Sequence, residues 1–230
     1  MDAWKLLKCP DVAFYMPNFI TDKEEEYLVN EVYKSPKPKW TVLSNRRLQN
    51  WGGIPHPKGM VQENLPKWLN DCCDKVSNLG VFADNKPNHV LVNEYKPGQG
   101  IMPHQDGPLY YPTVTTISLG SHTILDFYDL RTGNDQSCNE PKFSLLLERR
   151  SLLILQESMY ESHMHGISER STDVLNKDFV YNFDNLGDET LKSKIISESE
   201  FKLDRKTRIS LTIRNVPKTV KIKLQIGRFR

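Results

Sequence analysis

The stretch His89-Val-Leu-Val-Asn-Glu-Tyr95 decides the fold. Side chains along an extended strand alternate between two faces. Val90 and Val92 therefore share one face, and Leu91, Asn93 and Tyr95 the other. Similar short runs follow at residues 113–118, 123–128, 144–147, 151–155 and 208–214, with turn signals between them. Many short strands of this kind indicate an all-β sandwich or barrel. Helical patterns are confined to the chain before residue 89. The expected fold is mainly β, a double-stranded β-helix (jelly roll) with N-terminal helices buttressing the sheet.

Upstream, residues 11–20 predict a short strand broken by Pro17. Thr21-Asp-Lys-Glu24 has the form of a capping box. Leu28 and Val32, four apart, give the helix it starts an inward stripe, and Ser35-Pro-Lys-Pro ends it. Leu65, Trp68, Leu69, Cys72, Val76 and Leu79 recur at helical spacing, with Pro66 placed for the first turn and Gly80 for the end. Between the two helices, Lys37, Lys39, Arg46, Arg47 and Lys58 interleave with Trp40 and Trp51. That pattern suits phosphate contacts with base stacking; a Trp-anchored structural loop would read the same way.

Downstream, residues 129–143 read as a polar loop. Residues 168–206 read as an inserted lid or surface excursion, in which Phe179, Tyr181 and Phe183 alternate like an extra strand. The expected division is an N-terminal extension with a lid (1–88), a jelly roll (89–215, inserted at about 168–206) and a basic tail (216–230) bearing Lys218, Lys221, Lys223, Arg228 and Arg230.

Composition narrows the class. The chain has 230 residues, 38% hydrophobic and 26% charged, which suits one soluble globular domain. A net charge of +2 is too small to argue for nucleic acid by itself. Four cysteines without a Cys-x-x-Cys pair exclude a zinc knuckle and suit a reducing compartment. No run of 18 apolar residues occurs. A monomer in the cytoplasm or nucleus, without a membrane partner, is expected.

The chemistry begins at Asn93-Glu-Tyr-Lys-Pro-Gly-Gln-Gly-Ile-Met-Pro-His-Gln-Asp106. It ends in His104-x-Asp106, an imidazole and a carboxylate on one face of an extended chain. These are two members of the 2-His-1-carboxylate set that holds Fe(II) with open positions. His-x-Asp alone is common in ordinary turns, but Gly98, Gly100, Pro103, Gly107 and Pro108 suit a tight preformed loop. His163 and His165 compete for the third place, and spacing does not choose between them. In Arg208-Ile-Ser-Leu-Thr-Ile-Arg214, Arg208, Ser210, Thr212 and Arg214 share a face. Such a polar face is ordinarily turned to solvent; two guanidinium forks on it would also clamp a dicarboxylate.

Asn93-x-Tyr95-x-x-Gly98, His104-x-Asp106, His165 and Arg208-x-x-x-x-x-Arg214 together resemble the AlkB family of Fe(II)/2-oxoglutarate dioxygenases. Pro36-Lys-Pro-Lys-Trp-Thr, Leu48-Gln-Asn-Trp-Gly-Gly, Gly107-Pro-Leu-Tyr-Tyr-Pro-Thr-Val and Ile117-Ser-Leu-Gly-Ser-His-Thr resemble its sixth eukaryotic branch. The resemblance spans most of residues 11–216 and is weakest over 168–206. It implies that His104, Asp106 and His165 hold Fe(II) and form the catalytic centre; His165 is favoured because the third ligand commonly precedes Gly. It implies 2-oxoglutarate and O2 as cosubstrates, with Arg208 on the distal carboxylate and Arg214 near the metal-bound end. Asn93 and Tyr95, with Leu91 and Thr116, would line the cosubstrate wall, and Ser210 stands where the bacterial pattern has Asn.

The same resemblance implies oxidative demethylation of an N-alkylated base of RNA or DNA, flipped into a pocket. Trp40, Arg46, Arg47, Trp51, Tyr110 and Tyr111 would form the substrate wall. Bacterial AlkB carries an acid two residues past the metal Asp; here that place is Pro108. A nucleic-acid-binding member with weak turnover, and a protein hydroxylase or demethylase on the same fold, remain as alternatives.

Overall fold

The computed structural model describes residues 1–9, 12–130, 140–198 and 200–220. In chain order the elements are β1 (Ala13–Met16), α1 (Asp22–Lys34), β2 (Trp40–Leu43), β3 (Arg46–Trp51), β4 (Met60–Val61), α2 (Lys67–Ser77), β5 (His89–Tyr95), β6 (Ile101–His104), β7 (Thr113–Leu119) and β8 (Thr123–Asp129). There follow β9 (Phe143–Leu147), β10 (Leu152–Gln156), α3 (Ser158–Glu161), β11 (His163–Ile167), β12 (Thr172–Leu175), α4 (Glu189–Ser197), β13 (Phe201–Asp204), β14 (Arg208–Arg214) and β15 (Thr219–Val220).

Two antiparallel sheets form the sandwich. The major sheet has the order β1-β10-β7-β14-β5-β3-β2, and the minor sheet β6-β11-β8-β9. One face of the major sheet, carrying Val90, Val92, Ile209, Leu211 and Ile213, packs against Leu28 and Val32 of α1 and Trp68, Leu69 and Val76 of α2. The other face meets the minor sheet through Val114, Leu153, Leu125, Phe127 and Leu145. The expected jelly roll with a helical buttress is thus observed. Thr21 caps α1 reciprocally: its Oγ1 accepts from Glu24 N at 3.2 Å, and its own N–H donates to Glu24 Oε2 at 2.7 Å. Two N–H groups that a helix start leaves orphaned are so satisfied.

Three segments depart from expectation. Residues 40–51 form the β2–β3 hairpin, and β3 pairs with β5 from Arg47↔Glu94 to Trp51↔Val90. One continuous sheet therefore crosses residue 88. Residues 168–206 carry the β12–β13 hairpin with α4 between its strands. Phe179, Tyr181 and Phe183 form no extended strand there: Val180 makes a single parallel bridge to Ser144 of β9, Tyr181 N–H donates to Ser144 O at 2.9 Å, and Phe183 already opens a short 3-10 turn. Asn182 donates from Nδ2 to Leu146 O at 2.8 Å and accepts Leu146 N–H at 2.9 Å. Finally, 101–104 is a short strand where a loop was expected. Residues 131–139 of the polar loop, Cys138 among them, and the tail residues Lys221, Lys223, Arg228 and Arg230 lie outside the described residues. No described helix is long and apolar enough to cross a membrane.

Candidate active site

The register of the two short strands β6 and β11 places His104 opposite His165, with ring centroids 4.6 Å apart. Asp106 follows two residues after β6 ends. One ligand atom from each of His104, Asp106 and His165 falls in a group whose members lie within 4.8 Å of one another. His163 stays outside this group. It sits opposite Asp129, its Nδ1 is 3.3 Å from Ser158 O, and its ring meets Phe143 edge-on at 5.9 Å.

Electrostatics prepare these groups for a cation. His104 Nδ1 lies 2.8 Å from Met102 O. A carbonyl only accepts, so Nδ1 carries the proton and Nε2 keeps its lone pair. Burial, partly opposed by Asp106, pushes His165 down to about 4, so its imidazole is neutral at pH 7. Burial would raise Asp106, but Arg214, then His165 and His104, hold its pKa below the usual carboxylate value. Arg214 pairs with Asp106 directly. Two imidazoles and an ionised carboxylate fit a ferrous ion with positions left open.

A dianion fits beside them. Antiparallel pairing sets Arg208 against Tyr95, Ser210 against Asn93 and Thr212 against Leu91, so the polar face of β14 and the matching face of β5 become one wall. Every residue of β14 is buried, which excludes the ordinary solvent-facing reading. Arg208 is 4% exposed, and its Nη2 donates to Ser118 Oγ at 3.0 Å. Its Nε has no partner, and no carboxylate pairs with it among the described residues. Burial lowers its pKa to about 10, which leaves it charged at neutral pH. A buried guanidinium without a counter-charge is costly; a dicarboxylate would supply the missing partner. Leu91, Asn93, Tyr95, Thr116, Ser210 and Arg214 line the same cavity of about 550 Å³ that reaches the His-Asp-His group.

The sequence matches the model of the 2OG-Fe(II) oxygenase superfamily over residues 24–214. The chain belongs to the 2OG-Fe(II) oxygenase superfamily. It is an oxidoreductase whose family uses Fe(II), 2-oxoglutarate and O2. It is 49% identical over 233 residues to a Danio rerio protein named "Probable RNA/DNA demethylase ALKBH6", with 99% of this chain and 95% of that protein covered. This bears out the AlkB resemblance. An Acanthamoeba polyphaga mimivirus protein of unassigned activity, L905, is 30% identical over 87% of this chain and 83% of its own. In fold, the oxygenase is similar to OsALKBH1 at a TM-score of 0.55 and 16% identity, covering 88% of this chain and 97% of that one.

The oxygenase does not gather its six expected substrate-wall residues in one place. Arg46 lines the cavity and donates from Nε to Asn93 Oδ1 at 3.2 Å. Tyr110 stands beside Arg214, whose guanidinium carbon is 4.7 Å from its ring centre. Trp40, Arg47, Trp51, Tyr110 and Tyr111 are not among the residues that line the cavity. Arg47 is held by both oxygens of Glu94, each at 2.8 Å, and lies 4.1 Å over Trp40. Trp51 meets Trp68 of α2 edge-on at 6.0 Å, and Tyr111 packs 6.4 Å from Phe82. For the residues of β2 and β3 the cause is strand alternation: neighbours Arg46 and Arg47 of β3 must point to opposite sides.

Sequence reasoning missed Ser118, which orients Arg208, and Tyr160, whose hydroxyl donates to Gly107 O just past Asp106. It also missed Ser44 and Asn45, the β2–β3 turn at the cavity wall. Cross-strand register decides all of these, and no local motif marks them.

Proposed function

We propose that this oxygenase removes N-methyl groups from bases of RNA or DNA. One observation carries the reading: the His-Asp-His group and Arg208 open into one cavity that continues to Arg46 on β3. Its volume of about 550 Å³ falls in the range of small-ligand pockets and is ample for a diacid beside a planar base. The name of the Danio rerio relative supports the same substrate class.

His104, Asp106 and His165 would hold the iron, and Arg208 the distal carboxylate of 2-oxoglutarate. Together with O2 these supply oxidation of a C–H bond, with succinate and CO2 as the co-products. Arg214 fixes the Asp106 carboxylate. The apolar wall formed by Val114, Leu125, Leu153 and Leu155 excludes water. Hydroxylation turns N–CH3 into N–CH2OH, whose C–N bond breaks to give N–H and formaldehyde.

The test is formaldehyde and succinate release from methylated RNA, methylated DNA and methylated histone-type peptides. Release with oligonucleotides, and affinity that falls with salt as phosphate contacts require, is expected. Turnover confined to peptides would replace the reading with a protein demethylase. Salt-sensitive binding without release would replace it with a nucleic-acid-binding member of weak turnover.

A further inference from the structure

Methylation at a ring nitrogen has two electrostatic outcomes. At adenine N1 or cytosine N3 it leaves the base cationic near neutral pH. At uracil N3 or guanine N1 it replaces a ring proton, and the base stays neutral with carbonyl oxygens on its edge. A site built for one class presents the wrong charge to the other.

The charged side chains lining the cavity are Arg46, Arg208, Arg214 and Asp106. The charges of a ferrous ion and of 2-oxoglutarate offset each other, so one carboxylate remains against three guanidiniums. That carboxylate is already engaged by Arg214. Glu94, next to Asn93 in sequence, turns to the other face and pairs with Arg47. Glu169 touches Asn45 at the rim, but it is exposed and its field is screened by solvent. Among the described residues, no acid is left inside the cavity to meet a cationic base.

Arg46 differs from the other two arginines. It is half-buried, tethered only through Nε to Asn93, and without an acidic partner among the described residues. A guanidinium offers donors and no acceptor, so its complement on a base edge is a carbonyl oxygen. We infer that the cavity selects neutral N-methylated bases with carbonyl edges over cationic ones, and that Arg46 sets this preference. The inference rests on the demethylase reading and names the substrate class within it.

The experiment titrates single-stranded oligonucleotides carrying one 1-methyladenine, 3-methylcytosine, 3-methyluracil or 1-methylguanine. The protein is loaded with Mn(II) and 2-oxoglutarate without O2, so that binding is read apart from turnover. Affinities are taken relative to the unmethylated strands. The neutral pair should bind about tenfold or more tightly than the cationic pair, the scale of one nearby unit charge at a protein surface. Arg46→Gln should narrow the ratio, Arg46→Glu should invert it, and Arg46→Lys should keep the bias against cations. Circular dichroism verifies that each variant is folded. Equal affinities in the unaltered protein, a preference for the cations, or a ratio indifferent to Arg46→Glu and Arg46→Gln would overturn the proposal. If the charge preference appears but Fe(II), 2-oxoglutarate and O2 yield no formaldehyde from any strand, the demethylase reading fails and the selectivity stands. Absence of any oligonucleotide binding sinks both.

Discussion

His163 and His165 differ by two positions on one strand, and at the residue scale everything about the metal site turns on telling them apart. Both share a face, so periodicity is blind to the choice. Cross-strand register separates them: His104 faces His165, whereas Asp129 faces His163. His165→Ala should therefore weaken Mn(II) binding by about a hundredfold or more, beyond the 10–100-fold typical of outer partners, while His163→Ala stays within about tenfold. Calorimetric titration of the two variants reads this directly, and equal affinities would reject the assignment. Arg208 supplies the second residue-scale prediction. Arg208→Ala removes a charge-assisted hydrogen bond worth ~1.5–3 kcal/mol, which raises the half-saturating 2-oxoglutarate concentration roughly tenfold to a hundredfold. Succinate release against cosubstrate concentration checks it. Alternation and ligand chemistry are local properties, so His104-x-Asp106 and the two arginines stood out as candidates, but their roles came from the family resemblance.

At the element scale, legibility followed length and contrast. α1 carried its cap and stripe in the sequence, and β5 and β14 alternated cleanly. β6 and β11 span only four and five residues, amid Gly and Pro, and gave little signal. In the 36–62 stretch, composition does not tell a nucleic-acid surface from a Trp-anchored structural loop, because it averages over faces that a strand separates. The β12–β13 excursion was opaque for another reason: a long-range ion cluster holds it. Asp173 is fully buried. It accepts from Arg205 Nε and Nη2, both at 2.7 Å, from Arg170 Nε at 2.7 Å, and lies 3.1 Å from His122 Nε2. Burial would raise its pKa, but bonds from His122 and Arg205 and the charges of Arg205 and Arg170 hold it far below the ordinary carboxylate value. Asp173→Asn leaves Arg205 buried without its charge partner, at a cost of about 3–5 kcal/mol. Because the folded pKa is depressed, the Asp173 contribution is complete above the ordinary value of 3.8 and fades as pH falls below it. The melting gap between the unaltered protein and Asp173→Asn should stay level from neutral pH down to about 5 and close in stronger acid. A gap that widens on acidification would contradict this account.

Across the whole molecule, the two sheets confine three guanidiniums and a single carboxylate in one cavity, an excess of positive charge that favours an anionic ligand. Arg208 and Arg214 each keep a buried Nε without a partner, and one ligand atom from each of His104, Asp106 and His165 lies within 4.8 Å of the others. Such groups disfavour the folded state in the absence of ligands and reward binding with stability. A ligand at a hundred times its dissociation constant adds about 2.7 kcal/mol. For a chain of this size each kcal/mol moves the midpoint by roughly 2–4 °C. Mn(II) with saturating 2-oxoglutarate should thus raise Tm by about 5–10 °C. The gain should be cooperative. The metal adds positive charge beside the guanidiniums, which the dianion offsets, and the dianion gains its second anchor only when the metal is present. Arg208→Ala should lose most of the cosubstrate increment yet retain the metal increment, whereas Asp106→Ala should lose both. Differential scanning calorimetry of the three proteins, with each ligand alone and with both, separates these outcomes. Strictly additive shifts, or an unchanged cosubstrate increment in Arg208→Ala, would show that the two sites do not share one electrostatic enclosure.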